Sequence, residues 1–301
     1  MSWQLWALDA WLRLKEKSRL AREPSVEVAR AHMEATAARA FPVEPGVWQE
    51  ARLRADPPLA AWRLPAPEGT GVFLWLHGGA YCLGSPRTHA GMVAALARRA
   101  GTGALLPEYR LAPEAPFPAA VEDALAAWEA LRAEGWPAGR IALGGDSAGG
   151  GLAFALLHLL LAAGAPPPGC VVAFSPWTDL TLSGASHSRL ARRDAFLPVA
   201  RVGEIRDLYL AGADPRDPRA SPHLGRFAGA PPVLIQASRA EILLDDARLM
   251  AGRLEVDGAA VTLDLVPGAP HVWQAYHGWL PEAAAALGRA ADFVARHLTR
   301  A

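Results

Sequence analysis

The chain has 301 residues, 51% hydrophobic and 20% charged, enough apolar matter for one large domain or two small ones. Its 30 basic and 30 acidic residues cancel, so no global charge draws it to nucleic acid or to an acidic surface. The two cysteines, Cys82 and Cys170, lie far apart and outside any metal-ligand spacing, which speaks against a disulfide framework and a zinc site.

Residues 3–22 read as a helix with Trp3, Trp6, Ala7, Ala10 and Leu14 on one face, and Leu5, Leu8, Trp11 and Leu12 widening the apolar surface. The basic residues Arg13, Lys15, Lys17 and Arg19 follow the apolar stretch rather than precede it, the wrong order for a secretory signal. The run Leu152 to Ala165 is the nearest to a membrane span and His158 interrupts it, so we expect no stable membrane insertion and a cytoplasmic location. Glu23-Pro24-Ser25 breaks the first helix, and Ser25 can cap a second one to about Ala40. The three tryptophans need a partner surface: the body of the domain, a substrate cleft beneath a lid, or, least consistent with the weakly basic polar face, lipid.

From Gly46 the pattern turns to strands. Val47 to Arg54 and Leu59 to Leu64 alternate like two antiparallel strands about Asp56-Pro57-Pro58, and residues 71–76 form an apolar run expected of a strand buried on both faces. Helices are then expected at 88–100, 118–135, 148–164, 244–256 and 281–299, and strands at 103–107, 140–145, 169–175, 232–237 and 260–266. Such alternation implies a mostly parallel sheet, eight-stranded by this count, flanked by helices on both faces. Residues 177–231 break the rhythm, with short helical patches near 186–193 and 199–211. An insertion after a strand's C-terminal end lands where open α/β sheets bind ligands, and Trp177, Phe196, Leu197, Leu208 and Tyr209 suit part of a lid better than a solvated excursion.

Three segments carry chemistry. Gly145-Asp146-Ser147-Ala148-Gly149 is a G-x-S-x-G pattern between an apolar strand and an apolar helix, where a serine stands on a strained corner above the sheet. Alone, the same five residues also fit a glycine-rich turn with a serine helix cap. His77-Gly78-Gly79-Ala80-Tyr81 follows the buried strand, and its glycine pair lets bare backbone N–H groups point into a cleft, as an oxyanion requires. Together with the helix start at Ala148, this makes Gly78, Gly79 and Ala148 the expected oxyanion donors. His271, in Val266-Pro-Gly-Ala-Pro-His271-Val-Trp-Gln just past the last strand, suits a general base. Among the other histidines, His77 shapes its loop, His158 is packed in a helix, and His32 and His297 are solvated. His89, His187, His223 and His277 lie in polar or loop contexts. The acid that orients the imidazole is expected in Ser238-Arg239-Ala240-Glu241-Ile-Leu-Leu-Asp245-Asp246, with Glu241 in the turn as first choice and Asp245, at a helix start, as second.

The chain order serine, acid, histidine is that of α/β-hydrolases. His77-Gly78-Gly79, Tyr109-Arg-Leu-Ala-Pro-Glu114, Gly145-Asp-Ser-Ala-Gly-Gly150, Ser175-Pro-Trp-Thr-Asp179 and Pro270-His271-Val272 resemble, in order, segments of the hormone-sensitive-lipase-like α/β-hydrolase carboxylesterases (family IV, Gly-Asp-Ser-Ala-Gly branch). The likeness covers nearly the whole chain and is weakest over residues 1–45, matched only as a two-helix cap. Many relatives carry an aspartate in an Asp-Pro-Leu-like segment where this chain has Ala240-Glu241-Ile242-Leu243. The resemblance implies an α/β-hydrolase fold in one domain over 1–301, capped by 1–45 and part of 177–231. It implies a serine carboxylesterase acting on short- to medium-chain acyl esters through Ser147, Glu241 and His271, with no metal or organic cofactor. Two alternatives stand beside it: a catalytically idle small-molecule-binding protein on the same scaffold, and a lactone or acetyl-ester hydrolase or acyltransferase. In the last strand Val261, Leu263 and Leu265 alternate with Thr262 and Asp264, which suits a sheet edge able to pair with its copy in a homodimer.

Overall fold

The computed structural model describes residues 1–298. Its eight strands are β1 (Gln49–Leu53), β2 (Leu59–Leu64), β3 (Val72–Leu76), β4 (Gly103–Pro107), β5 (Ile141–Asp146), β6 (Cys170–Phe174), β7 (Val233–Ser238) and β8 (Val261–Val266). They form one sheet in the order β1-β2-β4-β3-β5-β6-β7-β8. β2 runs antiparallel to β1 and β4, and from β4 to β8 every pairing is parallel. This is the mostly parallel, helix-flanked sheet that the alternating pattern implied, in the α/β-hydrolase architecture that the resemblance implied.

The ten α-helices among the described residues are α1 (Trp3–Trp11), α2 (Lys17–Leu20), α3 (Val26–Ala40), α4 (Pro86–Ala100), α5 (Ala119–Ala133), α6 (Ala148–Ala162), α7 (Ser186–Arg189), α8 (Val199–Leu210), α9 (Leu244–Val256) and α10 (Pro281–His297). The last was expected to reach 299, a position outside the described residues. β3 is buried along its whole length because helices cover both faces. Phe73 and Trp75 pack with α4 and α10 through Val93, Leu96, Leu287 and Phe293. Leu74 and Leu76 pack with α5 and α6 through Ala124, Leu131, Leu152 and Leu156. Each such side chain contributes about 1.5–3 kcal/mol of transfer free energy. Ser85 caps α4 in a capping box with Thr88, and Ser25 caps α3.

β8 lies at the sheet edge as its alternation suggested, and Asp264 on its polar face accepts from Gln236 Nε2 at 3.0 Å and Arg289 Nε at 2.9 Å. No helix of the described residues is long and apolar enough to cross a membrane.

One face was expected wrongly. α1 and the π-helical turn Leu12–Glu16 bury Leu5, Leu8 and Leu12 against Trp273, Leu280 and Ala283, while Trp3, Trp6 and Leu14 are 69%, 66% and 74% exposed. Both sides of this helix are apolar, so periodicity alone could not choose between them, and the aliphatic side won. Trp3 and Trp279 meet edge to face, at 6.1 Å between ring centroids.

Candidate active site

β5 ends at Asp146, α6 begins at Ala148, and the reversal falls on Ser147, at φ 53° and ψ −123°. A non-glycine residue held there stores strain of order 1–3 kcal/mol, which the surrounding structure must over-determine. It does so through the Ser147 N–H, bonded to Phe174 O at 2.8 Å, and the Ser147 carbonyl, bonded by Trp177 N at 2.9 Å. The flanking glycines are steric necessities. A Cβ on Gly145 would lie 2.2 Å from Gly149 O, and one on Gly149 would lie 2.1 Å from Leu76 O. The elbow therefore closes only with glycine at both places.

Ser147 and His271 face one cavity of about 240 Å³, lined chiefly by apolar side chains. Met33 and Ala37 of α3, Ile205 of α8, Phe196 and Leu197 line it together with Gly79 and Ala80. Glu16 and Arg19, 2.9 Å apart, are a charged pair in its lining. The π-helical turn supplies Glu16; π turns recur at functional sites.

His271 follows β8 in the Pro-Gly loop, and its Nδ1 lies 2.5 Å from Glu241 Oε2. The other carboxylate oxygen of Glu241 accepts from Ser175 Oγ at 2.9 Å and Ser238 N at 2.6 Å. A proton on Nδ1 shared with Glu241 leaves Nε2 as the basic nitrogen. Burial of His271 alone would lower its pKa, but the Glu241 hydrogen bond and charge, with smaller contributions from Asp194 and Asp146, outweigh it and raise the pKa above the ordinary 6.5. Ser147 Oγ and His271 are not hydrogen-bonded to each other, a common state of such pairs before a substrate seats. Asp245 does not meet His271. Its carboxylate accepts from Ser186 N at 2.8 Å and pairs with Arg248 at 3.2 Å.

The glycine loop departs from expectation by one residue. Gly78, expected as an oxyanion donor, points its N–H at His89 Nε2, 3.3 Å away, and does not line the cavity. Gly79 and Ala80 line it instead, at φ 122° and 55°. Among the described residues no protein acceptor takes the N–H of Gly79, Ala80 or Ala148. The reason is His89, which was expected in a polar or loop context but is buried in α4. Its Nδ1 lies 2.7 Å from Thr88 Oγ1, and its Nε2 lies 3.2 Å from Asp146 Oδ2 as well as near Gly78. Asp146 also accepts from Trp75 Nε1 at 3.0 Å. His89 thus ties the glycine loop to the elbow. Burial would lower its pKa, but Asp146 raises it above the ordinary histidine value.

His77 does shape its loop: it stacks on Tyr109 at 4.2 Å, and burial pushes its pKa down to about 3, so it stays neutral. His187, also expected in a polar or loop context, is buried 3.4 Å from Asp246, whose other oxygen accepts the N–H groups of Thr178 and Asp179. Sequence reasoning missed the roles of His89 and Ser175. The only signal for Ser175 was its place in Ser175-Pro-Trp-Thr-Asp179 after a core strand; His89 gave none.

Comparison with known proteins agrees with this fold. Residues 73–275 match the family model described as alpha/beta hydrolase fold. The chain is 46% identical over 235 residues to an acetyl-hydrolase of Streptomyces hygroscopicus, covering 78% of this chain and 79% of that one. It is 34% identical over 225 residues to an esterase of Acinetobacter venetianus, 74% of each. An esterase from the bacterial hormone-sensitive lipase family superposes with a TM-score of 0.91 at 38% identity, covering 99% of both chains. The chain belongs to the α/β hydrolase fold family. Within it, this protein is a hormone-sensitive-lipase-like carboxylic ester hydrolase.

Proposed function

We propose that the protein is a serine carboxylesterase that cleaves short-chain acyl esters through Ser147, His271 and Glu241 by way of an acyl-enzyme. The observation that carries this reading is the 2.5 Å contact of His271 Nδ1 with Glu241 Oε2 beside a cavity that also exposes Ser147.

As the ester seats, Ser147 Oγ comes within reach of His271 Nε2, gives up its proton and attacks the carbonyl carbon. Negative charge develops on the carbonyl oxygen, which accepts hydrogen bonds from the free N–H groups of Gly79, Ala80 and Ala148, Ala80 standing in for Gly78. His271 then protonates the departing alcohol, and water cleaves the acyl-enzyme by the reverse relay. Glu241 holds the imidazole in the tautomer this sequence needs and stabilises the imidazolium.

We read α1 to α3 and the segment around α8 as a cap over one hydrolase domain, since residues of both line the cavity that Ser147 faces. A cavity of about 240 Å³ favours small acyl groups, in line with the acetyl-hydrolase activity named for the Streptomyces relative. Hydrolysis of nitrophenyl esters of graded length tests the reading. Turnover should be fastest for acetate to butyrate and should vanish in Ser147→Ala; a rate that climbs steadily toward decanoate would refute the acyl preference.

A further inference from the structure

Asp194 lies in the arginine-rich stretch Arg192-Arg193-Asp194-Ala195-Phe196-Leu197, which the sequence marks only as part of an insertion. Its side chain is nonetheless buried, 1% exposed. Oδ1 accepts the N–H groups of Phe196 and Leu197, both at 2.8 Å. Oδ2 accepts the N–H of Ile242, also at 2.8 Å. Ile242 directly follows Glu241, and Phe196 and Leu197 are cavity wall. The Phe196 ring lies 6.1 Å from the His271 ring with only 16° between their planes. One carboxylate therefore fastens both the turn that carries the acid and the segment that lays a flat ring along the imidazole.

The same stretch is anchored from outside. Lys17 Nζ donates to Asp194 O and Ala191 O, each at 2.7 Å, and Arg13 donates to the carbonyls of Arg192 and Arg193. The N-terminal helices are thereby tied through Asp194 to the Glu241 turn. Hydrogen bonds from backbone N–H to a carboxylate are each stronger than a neutral one, so three of them define this joint sharply.

We propose that Asp194 is a positioning residue for the ester hydrolysis, setting the orientation of His271 by fixing the Glu241 turn on one side and Phe196 on the other. This rests on His271 being the general base. Asp194 touches no reacting atom. The charged groups that act on His271 are Glu241, Asp194 and Asp146, and the charge of Asp194 helps to raise its pKa.

The test is steady-state hydrolysis of nitrophenyl acetate against pH, with thermal unfolding in parallel, by wild type, Asp194→Asn, Phe196→Leu and His271→Ala. Asp194→Asn should lower kcat roughly ten- to a hundredfold, leave KM within about threefold, and move the acidic limb of kcat/KM to lower pH, because a negative charge near the imidazole is gone. A lowered melting temperature with kcat and the limb unchanged would overturn the proposal. Phe196→Leu keeps all three hydrogen bonds and should lower kcat several-fold. If Asp194→Asn fails to fold, an unchanged kcat in Phe196→Leu overturns the proposal by itself. Activity persisting in His271→Ala would instead remove the reading on which the proposal depends.

Discussion

Ser175 donates its hydroxyl to Glu241 Oε1 at 2.9 Å and accepts the N–H of Val272 at 3.3 Å, so one small side chain joins the carboxylate to the residue after His271. A hydrogen bond to a charged group is worth about 1.5–3 kcal/mol. Ser175→Ala should therefore cut kcat by roughly tenfold, with KM nearly unchanged, because the lost bond matters most when charge develops on the imidazole. Initial-rate kinetics on nitrophenyl acetate check this, and a change confined to KM would contradict it.

The choice of acid is open to direct comparison. Glu241→Ala removes the partner of His271 Nδ1 and should lower kcat by roughly 10²–10⁴. Asp245→Ala severs bonds to Ser186 N, Arg248 and Arg189 and none to His271, so turnover should stay within about twofold while stability falls by about 1 kcal/mol. Paired rate and melting measurements separate the two outcomes.

The pH dependence has a definite sign. His271 must be neutral to take the serine proton, and its pKa is raised, so kcat/KM should rise with pH through a limb lying above the ordinary histidine value. Glu241→Gln keeps the shape but removes the charge that raises that pKa. Its limb should move to lower pH even as its maximum rate falls. A limb that stays in place would show that Glu241 does not set the titration.

Acyl preference should follow the cavity wall. Leu197 and Ile205 line the same cavity as Ser147, and each methylene in such a pocket discriminates by about 1–3 kcal/mol. Leu197→Ala and Ile205→Ala should shift the best substrate by one or two methylenes toward longer acyl chains, read as kcat/KM across acetate, butyrate, hexanoate and octanoate esters. An unmoved optimum would place the acyl chain elsewhere.

Much of this was legible in the sequence because it depends on local pattern. The buried run 72–76, the alternation of strands and helices, and the elbow around Ser147 each carry their own signal. Glu241 stood out because it is the first acid after a strand end. What was not legible depends on tertiary placement. The first helix is apolar on both sides, so its buried face was decided by the surface it meets. That the oxyanion loop's first N–H faces away from the cavity follows from His89, eleven residues on in sequence and brought to Gly78 by the helix that follows the loop. Asp194 looks solvated among arginines, and only the fold brings Ile242 to it.

The central claim is that Ser147 forms the acyl-enzyme. The most direct test is to treat the protein with a fluorophosphonate and locate the adduct by peptide mass. One adduct is expected on the peptide containing Gly145-Asp146-Ser147, formed quickly in wild type, slowly in His271→Ala, and not at all in Ser147→Ala, which should also be inert toward nitrophenyl acetate. Stoichiometric label on another residue, together with ester turnover surviving in Ser147→Ala, would contradict the account.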